Sequence, residues 1–230
     1  MLPLDAPHKQ ESAMLTSRAW IYVGLAAGAA TAFGLVSLLE SPKIRPGDRI
    51  LLVGDSLAVG LTAPLKALAA ERGVPFQALA TVGTRIDQWA QSDALSQALE
   101  SFQPTLVLIS LGTNDAYMQP SANQDIGQRQ APYMEALLQK IEQYTHKSDY
   151  GLGPRAIVWL SPPTLPAAAI SLPSVMRLIE SEHQVSLPKI KPRVSFFPTQ
   201  SLTLPRGPDG IHPVARGYAA WAGALWQWLT

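Results

Sequence analysis

The chain has 230 residues, a formal net charge of +1, 47% hydrophobic residues and 0 cysteines. That length and apolar content suit one medium-sized domain plus an appendage. The near-balanced charge, with no long basic or acidic block, does not suggest a nucleic-acid footprint. Lack of cysteine excludes a disulfide framework, a thiol nucleophile and thiolate metal ligation.

At the amino terminus, residues 1–18 form a short polar tail and residues 19–39 read AWIYVGLAAGAATAFGLVSLL without a charge. An apolar stretch of that length can cross a bilayer as a helix, with Trp20 and Tyr22 near one interface. It reads as an uncleaved transmembrane signal anchor. The Ala-x-Ala patterns between Ala26 and Ala32 suit a cleavage site, but the stretch is longer than a usual signal core. A buried core helix is the alternative, although the domain downstream is complete without it. Lys9 and Arg18 precede the span, while Lys43, Arg45 and Arg49 follow it, so charge does not fix the orientation. Residues 40–48 contain Pro42 and Pro46 and read as a stiff linker.

From residue 49 to 230 short apolar runs alternate with helical patterns, which predicts a parallel α/β sheet. The strands are expected at 49–53, 76–80, 105–111, 155–160 and 194–197. The run Leu106-Val107-Leu108-Ile109 shows no polar alternation, as a strand buried on both faces requires. Helices are expected at 61–72, 86–102, 132–145, 174–183 and 214–229. In the last of these, Tyr218, Trp221, Leu225 and Trp228 form one packing stripe, as do Tyr133, Leu137, Ile141 and Tyr144 in the third. Tyr117, Met118 and the proline-rich stretch 162–173 read as loop packing, with the lining of an acyl or alcohol pocket as the alternative.

Four short runs carry chemistry. Ser56, in Gly54-Asp55-Ser56-Leu57, follows the first strand directly, at the carboxyl edge where open α/β folds place ligands. Taken alone it is more often a helix cap. Gly83, in Val82-Gly83, follows the second strand, where a glycine lets backbone approach a ligand or simply makes a turn. Asn114, in Gly112-Thr113-Asn114-Asp115, ends the third strand with a neutral amide donor, or with an Asx turn. Asp209 and His212, in Asp209-Gly210-Ile211-His212-Pro213, have a spacing that lets the carboxylate reach one imidazole nitrogen while the other faces a serine. The remaining histidines, His8, His146 and His183, lack such a neighbour. No pair among the 4 histidines has zinc-site spacing, so no metal or cofactor is expected.

Together, and in this order, the four runs resemble the SGNH (GDSL-type) hydrolase family from about residue 49 to the carboxyl terminus. The resemblance implies a three-layer α/β/α sandwich around a flavodoxin-like parallel sheet of five strands. It implies Ser56 as nucleophile, His212 as general base and Asp209 as its partner. It assigns the oxyanion hole to the Ser56 and Gly83 amides and the Asn114 side chain, with Asp115 ordering its loop. The expected protein is a single-pass membrane esterase acting on small-molecule or glycan-linked acyl esters, O-acetyl esters among them. Its catalytic domain is expected to be extracytoplasmic (periplasmic). Two alternatives stay open: an O-acyltransferase using the same site on cell-envelope glycans, and a non-catalytic membrane-tethered binding module.

Overall fold

The computed structural model describes residues 41–117, 126–145, 156–163 and 194–230. The chain divides into two units, residues 1–38 and residues 39–230. The tail, the apolar span at 19–39, the helix expected at 174–183, and His8, Met118, His146 and His183 lie outside the described residues, as do residues 164–173. Among the described residues no helix is long and apolar enough to cross a membrane.

Five parallel strands form one sheet: β1 (Ile50–Gly54), β2 (Phe76–Ala80), β3 (Leu106–Ser110), β4 (Ala156–Leu160) and β5 (Val194–Phe197). Their order is β2-β1-β3-β4-β5, the flavodoxin-like arrangement, in which β1 and β3 are neighbours whose chains leave toward opposite edges. The helices are α1 (Ser56–Glu71), α2 (Ile86–Ala90), α3 (Asp93–Phe102), α4 (Thr113–Tyr117), α5 (Ile126–Thr145) and α6 (Ala215–Leu229).

Alternation along the strands builds two cores. Ile50, Leu52, Leu106, Leu108 and Val158 join Leu57, Leu61, Leu65, Trp221 and Leu225 of α1 and α6 on one face. Leu51, Val53, Val107, Ile109 and Trp159 join Trp89, Leu95, Leu99, Leu137 and Ile141 of α2, α3 and α5 on the other. With both faces covered, the central strands lose their polar alternation.

Three helices depart from the expected limits, α5 by starting at Ile126 and not at residue 132. α1 begins at Ser56 because Asp55 caps it, its side chain accepting from the Leu57 amide. The segment 86–102 breaks at Gln91–Ser92, where the Ser92 side chain accepts from the Leu95 amide and starts α3. The packing stripe of α5 also differs. Met134, Leu137, Leu138 and Ile141 are buried, whereas Tyr133 is 37% exposed. The buried edge follows the i, i+3, i+4, i+7 pattern. Residues 44–48 are stitched to the domain. Ile44 N–H donates to the Leu229 carbonyl at 2.7 Å, and the Asp48 carboxylate accepts from Arg45 N at 2.6 Å and Thr105 Oγ1 at 2.7 Å.

Candidate active site

The first two residues of the β1–α1 junction explain why the serine hydroxyl is available. A Cβ on Gly54 would stand 2.3 Å from the Ser110 carbonyl and 2.5 Å from Ala58 Cβ, so only glycine fits where β1 turns into α1 beside β3. Asp55 then supplies the helix cap, Oδ1 accepting from Leu57 N at 2.9 Å. Capping therefore falls to the aspartate, and Ser56, the first helical residue, keeps its Oγ for another partner.

That partner comes from the turn before α6. Asp209 Oδ1 accepts from the Ile211 and His212 amides at 2.9 and 3.0 Å, which folds residues 209–212 into one tight turn. Gly207 N–H donates to the His212 carbonyl at 2.8 Å, and Arg206 Nη1 donates to the Ile211 carbonyl. In this turn Asp209 Oδ2 lies 2.6 Å from His212 Nδ1, and His212 Nε2 lies 2.8 Å from Ser56 Oγ. An ionised carboxylate only accepts, so Nδ1 carries the proton and Nε2 is left to accept from the serine hydroxyl. The Asp209 carboxyl is held down at about 2, first by the His212 hydrogen bond and then by the two amides. It is an anion throughout the neutral range.

Two further loops reach the same edge. Gly83 follows β2 with φ +77, a left-handed conformation that suits glycine, although no atom lies within 4 Å of where a Cβ would stand. The requirement there is conformational, not steric. Asn114 stands one residue into α4, not at the strand end. Its Nδ2 donates to the Thr84 carbonyl at 2.9 Å and toward Asp55 Oδ2 at 3.3 Å. Asp115 is fully buried; both its oxygens accept from Ile86 N at 3.3 Å. This ties the start of α2 to α4, the loop-ordering part expected of it.

The structure thus brings Ser56, Asp209 and His212 into one hydrogen-bonded line, with Asn114 joined to Asp55, the neighbour of Ser56, and Gly83 one residue from Asn114's acceptor. The sequence reading missed Asp55. Its signal was present: an aspartate between a buried strand and a helix is a favoured cap residue. Burial pushes its carboxyl up to about 6, against the Leu57 amide and His212, which lower it. Burial likewise pushes Asp115 up to about 7. No group of three or more metal-ligating side chains occurs among the described residues. A cavity of about 760 Å³ lined by Arg45, Arg49, Arg72 and Trp226 shares no residue with this site.

These shifts have a sign that can be checked. Asp55 binds its proton more tightly folded than unfolded, so its contribution favours the fold below about pH 4 and is lost as pH rises through about 6. Asp209 acts oppositely: its contribution is present above about pH 4 and lost as pH falls through about 2. Asp55→Asn keeps an acceptor for Leu57 but removes the titration. Relative to wild type, its unfolding free energy should rise by about 2–3 kcal/mol between pH 4 and pH 7.5, since one pKa unit is worth about 1.4 kcal/mol. Denaturant melts at the two pH values measure this; a difference independent of pH would refute it.

Comparisons with known proteins agree with this fold. A model of the GDSL-like lipase/acylhydrolase family matches residues 52–220. No curated protein matches the chain. Among solved structures, a carbohydrate acetylesterase from Sinorhizobium meliloti superposes with a TM-score of 0.60 at 17% identity, covering 78% of this chain and 97% of that one. The aryl esterase of M. smegmatis gives 0.56 at 21% identity, with 78% and 97% covered. A family 3 carbohydrate esterase of Clostridium thermocellum gives 0.57 at 17% identity, with 78% and 92% covered. At such identities the likeness is one of fold; the family match carries the assignment. It extends from the middle of β1 into α6 and so takes in all four motif-bearing runs: this chain belongs to the GDSL-like lipase/acylhydrolase family, the SGNH hydrolases, and is an ester-hydrolysing enzyme.

Proposed function

We propose that the chain is a membrane-anchored serine esterase working through an acyl-enzyme, with short acyl esters, O-acetyl esters of glycans among them, as substrates. The observation that carries this reading is the line from Asp209 Oδ2 through His212 to Ser56 Oγ, with steps of 2.6 and 2.8 Å. Ser56 Oγ attacks the ester carbonyl as its proton passes to His212 Nε2. Asp209 holds the Nδ1–H tautomer and stabilises the imidazolium. The Ser56 and Gly83 amides and the Asn114 side chain receive the developing oxyanion. The alcohol leaves with the proton from His212. Water, deprotonated by the same nitrogen, then frees the acid and regenerates the serine.

Acetyl esters are favoured by the fold likeness to a carbohydrate acetylesterase. Anchoring rests on the uncharged run at 19–39, with the catalytic domain on the extracytoplasmic side.

The test is hydrolysis of p-nitrophenyl esters of increasing acyl length by the full-length chain in detergent, alongside Ser56→Ala. Wild type should turn over the short esters, and the variant should fall to background while melting at the same temperature. Equal inactivity of both folded proteins at every acyl length would sink the esterase reading. Product analysis with an acetylated glycan, with and without a free glycan acceptor, then separates hydrolysis from acyl transfer.

A further inference from the structure

We propose that Thr84 and Trp89 are positioning residues for the oxyanion hole, acting on the Gly83 amide and the Asn114 side chain. The proposal rests on the esterase reading above, which uses those two groups as donors.

Thr84 is where three elements meet. Its hydroxyl donates to the Thr81 carbonyl at 2.7 Å and accepts from the Trp89 indole Nε1–H at 2.9 Å. Its carbonyl accepts from Asn114 Nδ2 at 2.9 Å. The directions are forced. An indole N–H can only donate, so the threonine oxygen must accept from it and send its own proton elsewhere.

That proton closes the turn containing Gly83. The backbone bond across the same turn, Thr84 N to Thr81 O, is long at 3.4 Å, so the side-chain bond at 2.7 Å is the tighter closure. Gly83, with φ +77, has no side chain to hold it and nothing within 4 Å of its Cβ direction. Its amide direction is therefore set by what happens at Thr81 and Thr84. Trp89 provides the fixed point. It is 4% exposed and packs in the core with Ile86, Leu95 and Leu99. From that anchor the line runs through the Thr84 hydroxyl to the Gly83 turn. Through the Thr84 carbonyl it continues to Asn114, which in turn points toward Asp55 Oδ2 at 3.3 Å. The β1–α1 junction, the β2–α2 loop and α4 are thereby set against one another.

Positional errors of about 1 Å at a reacting centre cost on the order of a hundredfold in rate. Thr84→Val, which keeps the shape and deletes the hydroxyl, should therefore lower kcat for p-nitrophenyl acetate by about 10- to 100-fold with KM changed by less than about threefold. Trp89→Phe, which keeps a ring and deletes the N–H, should lower kcat by about 3- to 30-fold. Thr84→Ser, which keeps the hydroxyl, should stay within about threefold of wild type. Inactivation by a small fluorophosphonate, whose adduct puts an oxyanion in the hole, should slow in the same rank order. In an Asn114→Ala background the extra loss from Thr84→Val should shrink to the part that acts through the Gly83 turn.

All variants are assayed full-length, well below their melting temperatures. Wild-type kcat in folded Thr84→Val and Trp89→Phe overturns the proposal, as does Thr84→Ser falling as far as Thr84→Val. If Thr84→Val does not fold, Trp89→Phe and Thr84→Ser decide by the same criteria. Absence of Ser56-dependent turnover in wild type overturns the esterase reading and this inference with it. Turnover with undisturbed variants overturns this inference alone.

Discussion

His212→Ala is expected to lower kcat by about 10⁵- to 10⁶-fold, the scale on which serine hydrolases lose activity when the base is removed. Among the described residues no other group can replace it, since Nε2 at 2.8 Å is the only one bonded to Ser56 Oγ there. Asp209→Asn should cost less, about 10³- to 10⁴-fold. An amide at that position can donate to Nδ1 and so favour the tautomer whose Nε2 already carries a proton. The smaller loss follows from exposure: the Asp209 and His212 side chains are 47% and 40% exposed, so water can partly stabilise the imidazolium. The turn should survive the change, because the Asn oxygen can still accept from the Ile211 and His212 amides and Arg206 still holds the Ile211 carbonyl. His183→Ala should leave turnover unchanged. Steady-state kcat with p-nitrophenyl acetate, read beside melting temperatures, checks the three variants. Comparable losses from His212→Ala and His183→Ala would show that the base has been misassigned.

The chemistry-bearing part of this chain was legible because its elements are short and strongly patterned. β2 and β5 fall at the expected residues 76–80 and 194–197. Turn residues flank both closely: Gly73 and Pro75 precede β2, Gly83 follows it, and Pro198 follows β5. Asp209 and His212 could be paired from spacing alone, since three residues in one turn leave few geometries.

Other features depended on distant partners. The start of α1 was obscured by Ser56 and Gly60, which weaken the helical pattern; a buried cap at Asp55 overrides it. The break at Ser92 has a cap residue but no Gly or Pro, so a continuous helix looked equally good. Pro132 is a favoured first helical residue, yet α5 begins at Ile126 and carries the proline inside. The line Trp89–Thr84–Asn114–Asp55 was invisible in sequence. Two of its links span 30 and 59 residues, and no local rule joins an asparagine amide to the backbone carbonyl of a threonine across a sheet edge.

Asn114→Ala is the second large effect expected, a fall in kcat of about 100- to 1000-fold with little change in KM. The Nδ2 group has two protons and two acceptors. The Thr84 carbonyl at 2.9 Å takes one proton along a normal bond, while Asp55 Oδ2 at 3.3 Å holds the other at a long distance. The short bond fixes the amide, and on the proposed mechanism the long one yields when an oxyanion forms beside Ser56. A donor engaged weakly before reaction and strongly during it stabilises the transition state more than the ground state, so its loss appears in kcat. Asp115 cannot substitute, because it is fully buried and already accepts from Ile86 N. Some stability will also be lost, since the Thr84 carbonyl loses its side-chain donor at a cost of about 1 kcal/mol. The two effects separate experimentally. If Asn114→Ala melts near wild type yet keeps wild-type kcat, its amide has no part in the oxyanion hole. If kcat falls while KM holds and fluorophosphonate labelling slows in parallel, the amide acts where charge develops, one hydrogen bond away from the aspartate that caps the nucleophile's helix.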